Sequence, residues 1–136
     1  MELTEMSYSY GKSSRARLDT CHPLLIELFE DLIKDYDISI ICGHRTEEEQ
    51  NKAVASGNSK TQYPDSKHNR LPSLGIDAAL YPIIWDDHGR HYMFVGIVIE
   101  RAMQKGINIR CGADWDSDFS TNDQTFNDLV HFELVV

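Results

Sequence analysis

The chain has 136 residues, the length of one domain, and its 41% apolar and 26% charged residues exclude a composition that stays disordered. A net charge of -9 argues against a nucleic-acid partner, because such domains need clustered Lys and Arg to displace phosphate counterions. No apolar run approaches the roughly 18 residues that would insert into a membrane, and the start MELTEMSYSY lacks the features of a secretory signal, so synthesis in the cytosol is expected.

After a polar start, Leu25, Leu28, Phe29, Leu32 and Ile33 fall on one helical stripe within Leu18 to Tyr36. Asp19 or Thr20 is the expected cap, and Pro23 fits only the first turn. Ile38 to Cys42 is short, rich in isoleucine and bounded by Asp37 and Gly43, which reads as a buried strand. Thr46 followed by Glu49 has capping-box spacing and opens a second helix, for which Gly57 supplies a left-handed stop. From Asn58 to Ser73 the chain is polar and holds Pro64 and Pro72, so a long loop is expected, of the kind that often carries function.

Leu74 to Leu80 reads as a strand, Phe94 to Lys105 as a helix ending before Gly106, and Ile107 to Cys111 as a further strand. In the last strand, Leu129 to Val135, Leu129, His131, Glu133 and Val135 point one way, and Val130, Phe132 and Leu134 the other. Cys21, Cys42 and Cys111 form no CxxC pair and read as buried thiols. The order of elements indicates a single α+β domain, residues 1–136, with a small antiparallel sheet flanked by helices.

The chemistry concentrates on a few residues. His68 lies in the polar loop, nine positions before Asp77, which sits between apolar neighbours in a strand and therefore needs a partner. His131 lies in the final strand. Two imidazoles and a carboxylate make a sensible catalytic zinc site, which takes three protein ligands and leaves a fourth position to water. Spacing alone equally admits structurally satisfied histidines, since no HExxH is present.

The segments GHRTEEEQ, SKHN with PSLGIDAALYP, GADW and NDLVHFELV occur in an order that resembles the zinc peptidases of the Hedgehog/DD-peptidase fold. These comprise phage L-alanyl-D-glutamate endolysins, VanY-like D-alanyl-D-alanine carboxypeptidases and fold relatives in Hedgehog signalling domains. The likeness extends from about Gly11 to the C-terminus and is greatest to the compact phage endolysins. It implies a Zn2+ cofactor held by His68, Asp77 and His131, with Asp128 as the general base acting on the attacking water. It further implies that Arg45 anchors a substrate carboxylate through its planar fork, and that Gln50 and Ser66 contact substrate or orient ligands. By its position alone, Glu133, on the same strand face as His131, either orients it as an acceptor or is a strand-edge charge.

The implied partner is the peptidoglycan stem peptide, bound by a monomer that accumulates in the host cytoplasm and meets the wall once the membrane is breached. Rival readings are a D,D- or L,D-carboxypeptidase trimming terminal D-alanine, and a noncatalytic zinc-stabilised binding module. The spacing of His68 and Asp77 is wider than in many relatives, with the excess near Pro72 and Ser73, and Gly75 stands where alanine is common. Asp128 replaces the glutamate frequent among carboxypeptidases, which favours the endolysin branch. The acidic stretch with Asp114, Asp116, Asp118 and Asp123 offers oxygen ligands for calcium but lacks an EF-hand's central glycine and terminal glutamate, so a solvated loop is expected. Trp115 in that stretch either packs near the site or pins the loop.

Overall fold

The computed structural model describes residues 7–120 and 128–136. Four strands, β1 (Ile38–Cys42), β2 (Gly75–Leu80), β3 (Ile109–Gly112) and β4 (Asp128–Leu134), form one antiparallel sheet in the order β1-β2-β4-β3. The helices are α1 (Lys12–Leu18), α2 (Pro23–Leu32), α3 (Glu47–Ala55) and α4 (His88–Lys105), and a single 3-10 turn spans Lys67–Asn69. The expected α+β architecture is the one observed.

One face of the sheet is the core. Ile40, Ile76, Phe132 and Leu134 pack there against Leu25, Leu28 and Phe29 of α2 and Phe94 and Val98 of α4, all essentially without solvent exposure. Phe132 sits at the centre, edge-on to Phe29 at 6.1 Å and to Phe94 at 6.0 Å between ring centroids. Arg101 of α4 ties the two helices together at their outer side, its two terminal nitrogens donating to Asp31 and Asp35 at 2.8 Å each. The alternation of β4 is as expected: Phe132 and Leu134 enter this core, while His131 and Glu133 are buried on the other face.

The helix expected from Leu18 to Tyr36 is the shorter α2, Pro23–Leu32, and the unexpected α1 precedes it. The cap of α2 is His22 rather than Asp19 or Thr20: its Nδ1 accepts from the Leu24 amide at 3.1 Å. Thr20 is engaged elsewhere, since its hydroxyl donates to the Arg17 carbonyl and accepts from the His44 amide at 2.8 Å. The short α1 covers the free edge of β1: the Ile40 amide donates to Ser14 Oγ at 3.0 Å and Arg17 donates to the Ile40 carbonyl at 3.1 Å. An edge so covered offers no template for another strand.

The capping box of α3 is present as read, with Thr46 and Glu49 bonded reciprocally. Gly57 and Gly106 follow α3 and α4 with φ of 81° and 69°, the left-handed stops that the sequence places there. α4 begins six residues earlier than its apolar period suggests, because the Asp87 side chain caps the Arg90 amide and starts a polar first turn.

Candidate metal centre

Asp77 and His131 are direct cross-strand partners in the β2–β4 ladder, on the face away from the core. Opposed residues of an antiparallel pair bring their Cβ atoms to about 5 Å, so the ladder alone sets these side chains together. His68 reaches the same point from the 3-10 turn within the long loop. The Ser66 hydroxyl caps that turn by accepting from the His68 amide at 3.2 Å, and Ser66 lines the pocket above.

The three donor atoms form a nearly equilateral triangle. His68 Nε2 lies 3.1 Å from Asp77 Oδ1 and 3.2 Å from His131 Nδ1, and His131 Nδ1 lies 3.0 Å from Asp77 Oδ1. Ligands about 2.0 to 2.1 Å from a tetrahedral metal are about 3.3 Å apart, so this triangle has the dimensions of the base of such a site.

The remaining ring nitrogens point outward to fixed acceptors. His68 Nδ1 donates to the Gly43 carbonyl at 2.7 Å, and His131 Nε2 donates to Glu133 Oε1 at 2.8 Å. With the outer nitrogens as donors, the inner ones face the triangle's centre and, once deprotonated, have the tautomers that metal ligation requires. Glu133 is held in turn by Arg110 of β3 at 2.8 Å, and Arg110 lies over Trp115, whose ring centroid is 5.5 Å from that of His131. The residues present therefore fit a small divalent metal.

Electrostatics bind the cluster together. Burial disfavours charge on His68, but the Asp77 carboxylate outweighs it and holds the imidazole pKa up to about 10. Burial also works against the Asp77 anion, yet the two imidazoles hold its carboxyl well below the usual range. Glu133 is likewise lowered, against its burial, by His131 and Arg110.

Asp128 opens β4, three residues before His131, with a carboxylate oxygen within 4.8 Å of donor atoms of both Asp77 and His131. Burial raises its pKa first, and repulsion from Asp77 raises it further. A β-bulge between Cys111 and Gly112 sets Gly112 opposite Asp128. A Cβ on Gly112 would lie 2.2 Å from the Asp128 carbonyl, so only glycine permits this approach.

Arg45 lies between β1 and α3 and lines the pocket, one terminal nitrogen donating to Gln50 Oε1 at 2.9 Å and the other 3.7 Å from Asp77 Oδ2. Gln50 stands elsewhere than on the pocket surface. It is fully buried behind Arg45, and its amide donates to Ser59 Oγ at 2.9 Å and the Thr61 carbonyl at 2.6 Å. Cys42 is half-buried rather than buried, and its Sγ lies within 4.8 Å of ligand atoms of His68 and Asp77. It shares the Gly43 carbonyl with His68 Nδ1, a proximity that its strand position alone did not reveal. Cys21 and Cys111 are buried.

The wide His68–Asp77 spacing leaves the triangle intact, and Ser73 within the added stretch is pinned. Ser73 is fully buried, its amide donates to the Thr20 carbonyl, and its hydroxyl bonds the Gly75 carbonyl at 2.6 Å. At Gly75 an added Cβ would meet His131 Cε1 and Lys67 Cβ at 3.2 Å, tighter than ordinary contact, which accounts for glycine there. In the acidic loop, carboxylates of Asp114, Asp116 and Asp118 gather within 4.8 Å, but the loop's own amides at Asp118, Phe119 and Ser120 bond to them. Asp123 lies outside the described residues.

Among known proteins, the model of the phage L-alanyl-D-glutamate peptidase family matches residues 6–135. The L-alanyl-D-glutamate peptidase of Escherichia phage T5 is 30% identical over 138 residues, covering 96% of this chain and all of the relative. The crystal structure of the Serratia marcescens L-Ala D-Glu endopeptidase ChiX shares the fold, with a TM-score of 0.72 at 22% identity, over 96% of this chain and 91% of that one. With residues 6–135 matched by the family's model and a relative 30% identical over 96% of its length, the chain belongs to the phage L-alanyl-D-glutamate peptidase family.

Proposed function

We propose that the chain is a zinc-dependent endolysin that hydrolyses the L-alanyl-D-glutamate bond of the peptidoglycan stem peptide. The observation that carries this reading is the triangle of His68, Asp77 and His131 donor atoms, 3.0 to 3.2 Å apart, beside Asp128 in a member of this peptidase family. Two neutral imidazoles and one carboxylate are the donor set of a catalytic zinc with an open fourth position. Bound there, zinc supplies a Lewis acid that brings the pKa of a water toward neutrality and polarises the scissile carbonyl.

The chain's own residues do the rest. Asp128, its pKa raised by burial and by Asp77, takes a proton from the attacking water and passes it to the leaving amine. Its short side chain reaches the site because Gly112 lets β4 start close to β3. Arg45, steadied by Gln50, offers its remaining donors to a substrate carboxylate and so aligns the peptide across the triangle. Glu133 and the Gly43 carbonyl hold the two imidazole rings in their orientations.

No helix of the described residues is long and apolar enough to cross a membrane. We place the protein in the host cytoplasm until lysis and take it to act as a monomer. The test is to digest peptidoglycan with the protein as purified, after chelation and after zinc is restored, and to identify new termini by mass spectrometry. L-alanine carboxyl and D-glutamate amino ends that vanish with chelation and return with zinc support the reading. Release of terminal D-alanine instead would move the protein to the carboxypeptidases, and zinc-loaded, folded protein that cuts no wall would leave a binding module.

A further inference from the structure

Although the whole chain carries a net charge of -9, four cationic residues, Arg45, Lys60, Lys67 and Arg110, line the pocket over the triangle. Arg110 is engaged by Glu133. The other three come from the single segment between β1 and β2, and Asp65 is the one acid of that segment lining the pocket, so this part of the surface is net positive.

Gln50 binds these parts to one another. Its amide nitrogen donates to Ser59 Oγ and to the Thr61 carbonyl, gripping the loop on both sides of Lys60. Its oxygen accepts from Arg45 and, at 3.3 Å, from Asn69, two residues beyond Lys67. Arg45 has one terminal nitrogen bonded to Gln50 and the other 3.7 Å from Asp77 Oδ2, and a guanidinium carries five N–H donors, more than these two contacts use. Lysines are point charges on flexible stems and accept a carboxylate from a range of directions.

We propose that the segment is an extended carboxylate subsite: Arg45 takes one carboxylate of the bound peptide, Lys60 and Lys67 a second, and Gln50 is the positioning residue between them. This rests on the peptidase reading and names the substrate class within it. The preferred substrates are stem peptides with at least two free carboxylates beyond the cleaved bond, and amidated peptides are the poorer ones.

The experiment compares matched synthetic L-alanyl-D-glutamyl stem peptides, one with both carboxylates free and one with the second amidated, using the zinc-loaded protein and following initial rates. Wild type is expected to lose roughly tenfold in kcat/KM on amidation, the scale of one charge-assisted hydrogen bond, mainly through KM. The preference should shrink as salt is raised, because the lysines are half-buried or exposed and screening acts on them. The K60M/K67M double variant, altered at those two positions only, should process the two peptides alike. Gln50→Leu should raise KM for the free-carboxylate peptide more than for the amidated one, which a general loss of stability would not do. Equal rates on both peptides with wild type, or a preference that survives in the double variant, would overturn the proposal while leaving the peptidase reading in place. Cleavage of neither peptide by wild type would overturn both.

Discussion

Replacing Glu133 tests whether the environment of the triangle was built for a metal. Glu133 is buried and accepts two bonds at 2.8 Å, from His131 Nε2 and from Arg110. In Glu133→Ala the His131 N–H loses its acceptor, the ring loses its fixed tautomer, and Arg110 loses the anion that holds it. One buried charge-assisted bond is worth about 1.5 to 3 kcal/mol, and outer partners of metal-bound histidines typically contribute 10- to 100-fold in affinity. These two figures agree, since about 1.4 kcal/mol is tenfold. Zinc affinity is therefore expected to fall 10- to 100-fold, measured by competition with a chelating indicator. Glu133→Gln should fall between this variant and wild type, because its carbonyl can still accept from His131 while its amide opposes Arg110. A folded Glu133→Ala protein that binds zinc as tightly as wild type would refute the assignment of Glu133 as the group that orients His131.

Asp128→Asn should retain zinc and lower kcat by about 10²- to 10⁴-fold, the usual contribution of a general base, as read in a steady-state peptide assay. Gly112→Ala, whose Cβ would lie 2.7 Å from the Asp128 Cβ, should displace the base and cost roughly 10²-fold in kcat with zinc affinity little changed. Phe132→Ala should cost about 3 to 5 kcal/mol in a denaturant titration, since the ring is fully buried between Phe29 and Phe94. Asp31 and Glu49 are lowered, the first chiefly by its bond to Arg101 and the second by the Thr46 amide. Groups with depressed folded pKa stabilise fully above their unfolded values near about 4 and lose that contribution as pH falls below them. Asp31→Asn and Glu49→Gln should therefore flatten the acid limb of a stability-against-pH curve, measured by thermal melts.

Much of this arrangement is legible in the sequence where the signals are local. The Thr46–Glu49 capping box, the left-handed stops at Gly57 and Gly106 and the alternation that puts His131 opposite the core are each set within a few residues. Asp77 is legible for another reason: a carboxylate inside an apolar strand has to be compensated, and the β2–β4 register supplies His131 directly across. What depends on distant contacts is not legible. α1 is too short to show a period, and it is stabilised against β1 by bonds from Ser14 and Arg17 that span 26 and 23 residues. The burial of Gln50, the nearness of Cys42 to His68 and the role of Arg110 behind Glu133 all arise from loop packing, which leaves no periodic trace. Asp128 carries no signal of its own beyond the family motif, since before a strand an aspartate equally suits a turn.

On the function proposed, one zinc held by His68, Asp77 and His131 is required for cleavage. The most direct measurement is peptidase activity of the chelated protein as zinc is returned stepwise, with bound metal measured in the same samples. Activity should rise in proportion to bound zinc and level off at one equivalent, and His131→Ala should show neither tight binding nor recovery. Full cleavage by chelated protein with no bound metal, or undiminished binding and activity in His131→Ala, would contradict the account.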